Sequence, residues 1–171
     1  MARKPSLIYC FTEGVSSMKV ILPGSYDPIT LGHLDIIRRA SELYQEVFVV
    51  AFINPDKKYT FSLSDRLKMI RLATEQFENI TVDSSDGYVV DYMKEKGIEK
   101  IVKGYRNSFD LEYEKKQAEF NLERGGFETL LWEAGSDFSN ISSTEARLRI
   151  KNGENLEDFL PQKVISFINN H

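Results

Sequence analysis

Residues that could do chemistry gather first between a short apolar run at Met18–Leu22 and a helical pattern that opens at Leu31: Pro23-Gly24-Ser25-Tyr26-Asp27-Pro28-Ile29-Thr30-Leu31-Gly32-His33. A helix N-terminus offers unpaired N–H groups and the positive end of the backbone dipole, so an anion binds there readily. Gly32 lets a phosphate approach the backbone closely, and His33 in the first turn faces the same anion. Taken singly, Gly24, Asp27 and Pro28 are ordinary turn residues, and a lone histidine is ordinarily a surface or core side chain. The whole string at a strand-to-helix junction reads as a nucleotide phosphate site.

Four later segments place charges or hydroxyls at the ends of expected elements. Asn54-Pro55-Asp56-Lys57-Lys58 follows the second apolar run, and by itself its lysine pair is solvated surface. Lys103-Gly104-Tyr105-Arg106 follows the fourth run and flanks a glycine with two cations. Asp110-Leu111-Glu112-Tyr113-Glu114 lies on a helical pattern, where an acidic face is the plain structural reading. Phe138-Ser139-Asn140-Ile141-Ser142-Ser143-Thr144 runs into another helix start, where Ser142 as a cap and free N–H groups for a phosphate are compatible.

The elements that must position these segments alternate. Short strand-like runs are expected at Lys19–Leu22, Val47–Phe52, Ile80–Val82, Lys100–Lys103 and Thr129–Trp132, with helical periods between them, the pattern of βα units building a parallel sheet. Val47–Phe52 is continuously apolar, as a central strand covered on both faces must be. Leu31–Gln45 repeats Leu34, Ile37, Ala40 and Leu43/Tyr44 at helical spacing. The next helix starts at a capping box, Ser62 with Asp65. Others cover Tyr88–Lys96 before Gly97, Ser108–Glu123 before Gly125-Gly126, and a segment from the box Ser142/Glu145 to Gly153. Pro161 opens the last. The fold expected is a single α/β domain, Rossmann-like and doubly wound, with a parallel five-stranded sheet and its site at the carboxyl ends of the strands.

Composition excludes several classes. The chain has 171 residues, 42% of them apolar and 28% charged, enough for one core and unlike a disordered chain. Twenty-two basic against twenty-six acidic residues give a net charge of −4, so nucleic acid is not expected as a partner and a bound polyanion needs a local cluster. One cysteine, Cys10, and two histidines cannot build a disulfide framework or a Cys/His zinc site. No apolar run has membrane-spanning length, and the expected localisation is cytoplasmic, with no membrane partner. Residues 1–17 are expected to be an extension, disordered or preceding the natural start at Met18, and residues 18–171 form the domain; Glu13 and the interrupted apolar patch argue against a signal peptide.

Thr30-Leu31-Gly32-His33 resembles the TxGH form of the (H/T)xGH signature of the nucleotidyltransferase superfamily. Threonine at its head, after PGSYDPIT, resembles the phosphopantetheine adenylyltransferase family, and the other four segments follow in that family's order from Lys19 to about Ile168. The resemblance implies transfer of the adenylyl group of ATP to 4′-phosphopantetheine, giving dephospho-coenzyme A and pyrophosphate. It implies catalytic roles for His33, Lys57 and Arg106. It assigns Ser25, Lys57, Val89 and Lys103 to the acceptor, with Tyr88 and Met93 near the pantetheine arm. To ATP it assigns Ser25, Tyr26, His33, Gly104, Tyr105, Arg106, Glu114 and the run Phe138, Ser139, Asn140, Ile141, Ser142, Ser143 and Thr144. Lys103 stands where the family's RGxR has arginine; it keeps the charge but cannot form a two-toothed guanidinium clamp. Mg²⁺ carried by ATP, coenzyme A as product-side or feedback ligand, and a homohexamer are further implications.

The attacking phosphate is already ionised near neutral pH, so no general base is required and catalysis reduces to placing and neutralising anions. His33, Lys57, Lys103, Arg106 and Mg²⁺ would supply that neutralisation, and Ser25 would orient the attacking group. Two other readings remain open at this stage. One is a related nucleotidyltransferase with another phosphate-bearing acceptor, such as nicotinate mononucleotide; the other is a non-catalytic nucleotide sensor, which the fold alone permits.

Overall fold

The computed structural model describes residues 15–171. Their elements run β1 (Ser16–Gly24), α1 (Leu31–Leu43), β2 (Tyr44–Phe52), α2 (Leu63–Thr74), β3 (Ile80–Ser85), α3 (Val89–Lys96), β4 (Lys100–Tyr105), α4 (Ser108–Gly125), β5 (Thr129–Glu133), a 3-10 turn at Ser136–Phe138, α5 (Ser143–Asn152) and α6 (Gln162–Asn169). The strands form one parallel five-stranded sheet, as the alternating pattern predicts, and their order is β3-β2-β1-β4-β5.

Side chains alternate across each strand, so the inner strands feed two cores. Val47, Val49 and Ala51 of β2, Val20 and Leu22 of β1 and Val102 of β4 enter one core, with Ile37 of α1, Ile70 of α2 and Val164 of α6. Phe48 and Val50, Ile21 and Ile101 enter the other, where Tyr92 and Met93 of α3 cover them. α4 packs on α3, β4 and β5 yet buries no residue of its own and leaves Phe109, Tyr113, Phe120 and Leu122 exposed.

Several boundaries depart from the sequence pattern. α1 stops at Leu43 rather than Gln45: Tyr44 takes an extended backbone, buries its ring against Trp132, and the Asn79 amide donates to Ser41 O and Tyr44 O, so chain passes from helix to β2 without a loop. β3, β4 and β5 run beyond their apolar cores because the parallel ladder continues through polar residues, pairing Asp83–Ser85 with Val50–Phe52. β1 starts earlier than Lys19. The extension expected at residues 1–17 falls outside the described residues as far as residue 14, and Ser16 and Ser17 already belong to β1.

Candidate active site

β1 lies between β2 and β4, so the chain leaves it in one direction and returns later on the other side; this is the point where a crevice opens at the carboxyl ends of a parallel sheet. Pro23–Asp27 after β1 and Lys103–Arg106 at the end of β4 meet there, with the N-termini of α1 and α5, around a cavity of about 330 Å³. A second cavity of about 1020 Å³ adjoins it, between the loops after β2 and β3 and the face of α4. Ser25, Lys57, Lys103 and Glu114 line both.

His33 is oriented by a device that its spacing from Thr30 makes possible. Thr30 caps α1, accepting from the His33 backbone N–H at 3.3 Å, while the Thr30 N–H donates to His33 Nδ1 at 3.1 Å, a reciprocal capping box with histidine in the usual place of glutamate. Because that N–H can only donate, Nδ1 is the acceptor, and in the neutral ring the proton sits on Nε2. Burial, followed by the charges of Lys103 and Arg106, pushes the His33 pKa down to about 4. The imidazole is therefore a neutral N–H donor at neutral pH, not one of the neutralising cations expected from the sequence, because burial beside Lys103 and Arg106 disfavours its charged form. Tyr26 holds a positive φ of 50°, stacks edge-on to His33 and donates its hydroxyl to Leu22 O, so its side chain supports the site; burial pushes its phenol pKa up.

The cations are held unequally. Arg106 donates from Nε to Asp110 Oδ2 at 2.7 Å and from one terminal nitrogen to Oδ1 at 3.2 Å, and its other terminal nitrogen donates to Ile141 O at 3.3 Å. Lys103 donates to Pro23 O at 3.3 Å and lies 3.4 Å from Glu114, whose second carboxylate oxygen is buried without a partner among the described residues. Lys57, on an exposed loop, donates to Ser25 Oγ at 3.0 Å. That loop is anchored at its far end by buried Asp27, whose carboxylate accepts from the Thr60 and Phe61 N–H groups, both at 2.9 Å.

Of the residues expected at the site, Ser25, Tyr26, His33, Lys57, Lys103, Gly104, Tyr105, Arg106, Glu114, Ile141, Ser142, Ser143 and Thr144 line the first cavity, and Val89 with Tyr88 lines the second. Phe138, Ser139 and Asn140 line neither: Phe138 closes the 3-10 turn, Ser139 turns its hydroxyl back to Ser136 O, and Asn140 is exposed. Met93 is buried in the second core rather than facing the pantetheine side. Gly104 is needed for packing as well, since a Cβ there would come within 2.9 Å of Ile36 Cγ1 on α1. Ser142 caps α5 as expected, but Glu145 does not complete the box and instead pairs with Arg149.

Sequence reading missed Asp27, Asp110 and Arg147 as site residues. Arg147 lines the first cavity one helical turn after Thr144, donating to Asp27 O at 2.9 Å and to Thr144 Oγ1 at 3.2 Å. Its spacing from the α5 cap, on the face that carries Ser143 and Thr144, was the available signal. Among the described residues no helix is long and apolar enough to cross a membrane.

Helix N-termini and cations converging on the switch point of a parallel sheet make a cleft for nucleotide phosphates, and residues 21–149 match the cytidylyltransferase-like family, which sets the class as nucleotidyltransferase. A solved structure from Vibrio parahaemolyticus, provisionally described as a nicotinate-nucleotide adenylyltransferase, shares the fold with a TM-score of 0.67 at 13% identity, covering 90% of this chain and 93% of that one. The chain is 42% identical to the phosphopantetheine adenylyltransferase of Clostridium novyi (strain NT), over 88% of its own length and 94% of that protein's. It is 41% identical to that of Corynebacterium diphtheriae, over 88% and 95% respectively. The chain belongs to the phosphopantetheine adenylyltransferase family.

Proposed function

We propose that the two cavities divide one reaction between them: the chain transfers the adenylyl group of ATP to 4′-phosphopantetheine, giving dephospho-coenzyme A and pyrophosphate, a step of coenzyme A biosynthesis. ATP takes the first cavity and the pantetheine arm takes the second, past Val89. The observation that carries this reading is the shared wall, where Ser25, Lys57 and Lys103 face both cavities and two phosphates would have to meet.

In this reading a phosphate oxygen of the acceptor attacks the α-phosphorus in line, one P–O bond forms, and the bond to the β-phosphate oxygen breaks to release pyrophosphate. His33 donates its Nε2–H to the α-phosphate oxygen on which charge builds, and its neutral state leaves that donor ready without a proton transfer. Lys57 reaches the reacting phosphates from the loop, Lys103 holds the acceptor phosphate as a point charge, and Arg106, already oriented by Asp110, grips the ATP phosphates. Among the described residues no group of three or more His, Cys, Asp or Glu could hold a metal, so Mg²⁺ would be ligated by phosphate oxygens and water and would neutralise their charge.

Phe109 and Leu122, exposed on α4 and lining neither cavity, support assembly with further copies of the chain as a homohexamer, testable by mass in solution. Coenzyme A, which shares the pantetheine arm, is assigned as a ligand of the same two cavities. The reaction is placed in the cytoplasm, where ATP is abundant. Pyrophosphate release with ATP and Mg²⁺ tests the function, with 4′-phosphopantetheine, unphosphorylated pantetheine and nicotinate mononucleotide as acceptors and product mass recorded. Release with 4′-phosphopantetheine alone is expected; turnover with nicotinate mononucleotide would move the chain to a neighbouring class, and ATP binding without turnover would make it a sensor.

A further inference from the structure

Arg66, in the first turn of α2, is only 2% exposed, and among the described residues no carboxylate lies within ion-pair distance of it. A buried guanidinium without a counter-charge is a poor choice for stability alone, because a backbone hydrogen bond and an aromatic face offset its desolvation only in part and an apolar side chain of similar volume would pack as well. Its bonds point toward the site instead. One terminal nitrogen donates to Ser25 O at 2.8 Å, and the guanidinium carbon lies 3.9 Å from the centre of the Tyr59 ring, while Nε has no partner among the described residues. The same ring lies 5.9 Å from Lys57 Nζ, and the Tyr59 hydroxyl accepts from the Asn54 N–H at 2.8 Å, closing the loop that carries Lys57. Lys57 in turn donates to Ser25 Oγ. Ser25, Tyr59 and Lys57 thus meet around one buried cation beyond the end of the β1–β2 ladder, where the loop after β2 is also anchored to Asp27 through the Thr60 and Phe61 N–H groups.

We infer that Arg66 is a positioning residue for adenylyl transfer: by binding Ser25 O and stacking on Tyr59 it sets the distance between Ser25 and Lys57, and so the placement of the Lys57 ammonium between the two cavities. The inference rests on the reading that those cavities hold the reacting phosphates. Removing Arg66 leaves both partners in the chain but uncouples them. A core-filling arginine would act otherwise, lowering stability without changing what Lys57 contributes to turnover.

A double-mutant cycle with Lys57→Ala and Arg66→Met, read in kcat, KM and thermal midpoint with ATP and 4′-phosphopantetheine, separates the two. In the native background Lys57→Ala is expected to lower kcat at least ~30-fold; with Arg66→Met present, the same change is expected to lower it less than ~3-fold, while the two midpoint shifts add. Arg66→Lys, which keeps the charge but loses the planar stack, is expected to fall between native and Arg66→Met. Should Arg66→Met not fold, Tyr59→Leu takes its place in the cycle, with the same coupling to Lys57 expected. Additive losses in kcat would overturn the proposal in a native enzyme that turns over. A native enzyme inactive with both substrates would instead remove the functional reading beneath it, and the proposal with it.

Discussion

On the β4 side of the cleft Arg106 is locked by the protein itself, with both carboxylate oxygens of Asp110 and the Ile141 carbonyl taking its donors. On the β2 side Lys57 stands on an exposed loop, and its ammonium makes one hydrogen bond among the described residues, to Ser25. The difference follows from chemistry and from the chain. A planar guanidinium can be oriented in advance and still present an edge to a phosphate, whereas an ammonium on a flexible stem is directed by whatever acceptor is nearest. In the proposed reaction the locked side would hold ATP the same way in every cycle, and the looser side would follow charge as it moves. His33, between them, belongs with the locked side because Thr30 fixes its ring from two directions.

That contrast can be broken at several points. The largest effect is expected from His33→Ala, which in the proposed reaction removes the donor to the α-phosphate and should lower kcat on the order of 100- to 1,000-fold while changing the KM for ATP far less; steady-state kinetics with varied ATP checks it, and equal losses in both would contradict the assignment. Lys57→Ala should lower kcat at least ~30-fold, again with the smaller change in KM, because its contact matters most when charge has shifted. Asp110→Ala attacks the locked side. Since it frees Arg106 rather than deleting it, it should raise the KM for ATP about 10-fold with kcat less affected, a size typical of losing hydrogen bonds to a charged group; a dominant fall in kcat would show that the lock serves chemistry rather than binding.

Two smaller effects concern the frame. Gly104→Ala would drive a methyl against Ile36, and thermal unfolding should show a loss of about 1–3 kcal/mol. The pH dependence of stability should carry the mark of His33. Its folded pKa of about 4 lies below the ordinary 6.5, so within that window the unfolded chain takes up a proton that the folded site refuses. Its contribution is therefore full above 6.5 and is lost as the pH falls toward 4. Comparing midpoints of the native chain and His33→Gln across that range isolates it: the variant should show a shallower fall, and identical slopes would mean that His33 titrates normally.

Much of this molecule is readable from local pattern. The continuous apolar run Val47–Phe52 announced a strand covered on both faces, and the PGSYDPITLGH string announced a phosphate cradle at a strand-to-helix turn, because both depend on neighbours within a few residues. Where α1 would end was not readable, since Tyr44 leaves the helix for contacts with Asn79 and Trp132, both distant in the chain. Phe138, Ser139 and Asn140 matched a motif yet stand off the cavity, because the 3-10 turn directs them elsewhere, and motif spacing does not encode that direction.

The sequence by itself determined the alternation of strands and helices, the parallel sheet, most of the residues that line the cleft and the family to which the chain is similar, since each rests on spacing and residue type along the chain. Tertiary structure alone decided which of those residues act together. The bond from Arg147 to Asp27 spans 120 positions, that from Arg66 to Ser25 spans 41, and that from Lys57 to Ser25 spans 32. It also decided that His33 is neutral: Thr30 sets its tautomer locally, but only burial at the switch point, with Lys103 and Arg106 brought alongside by β4, moves its pKa out of the physiological range.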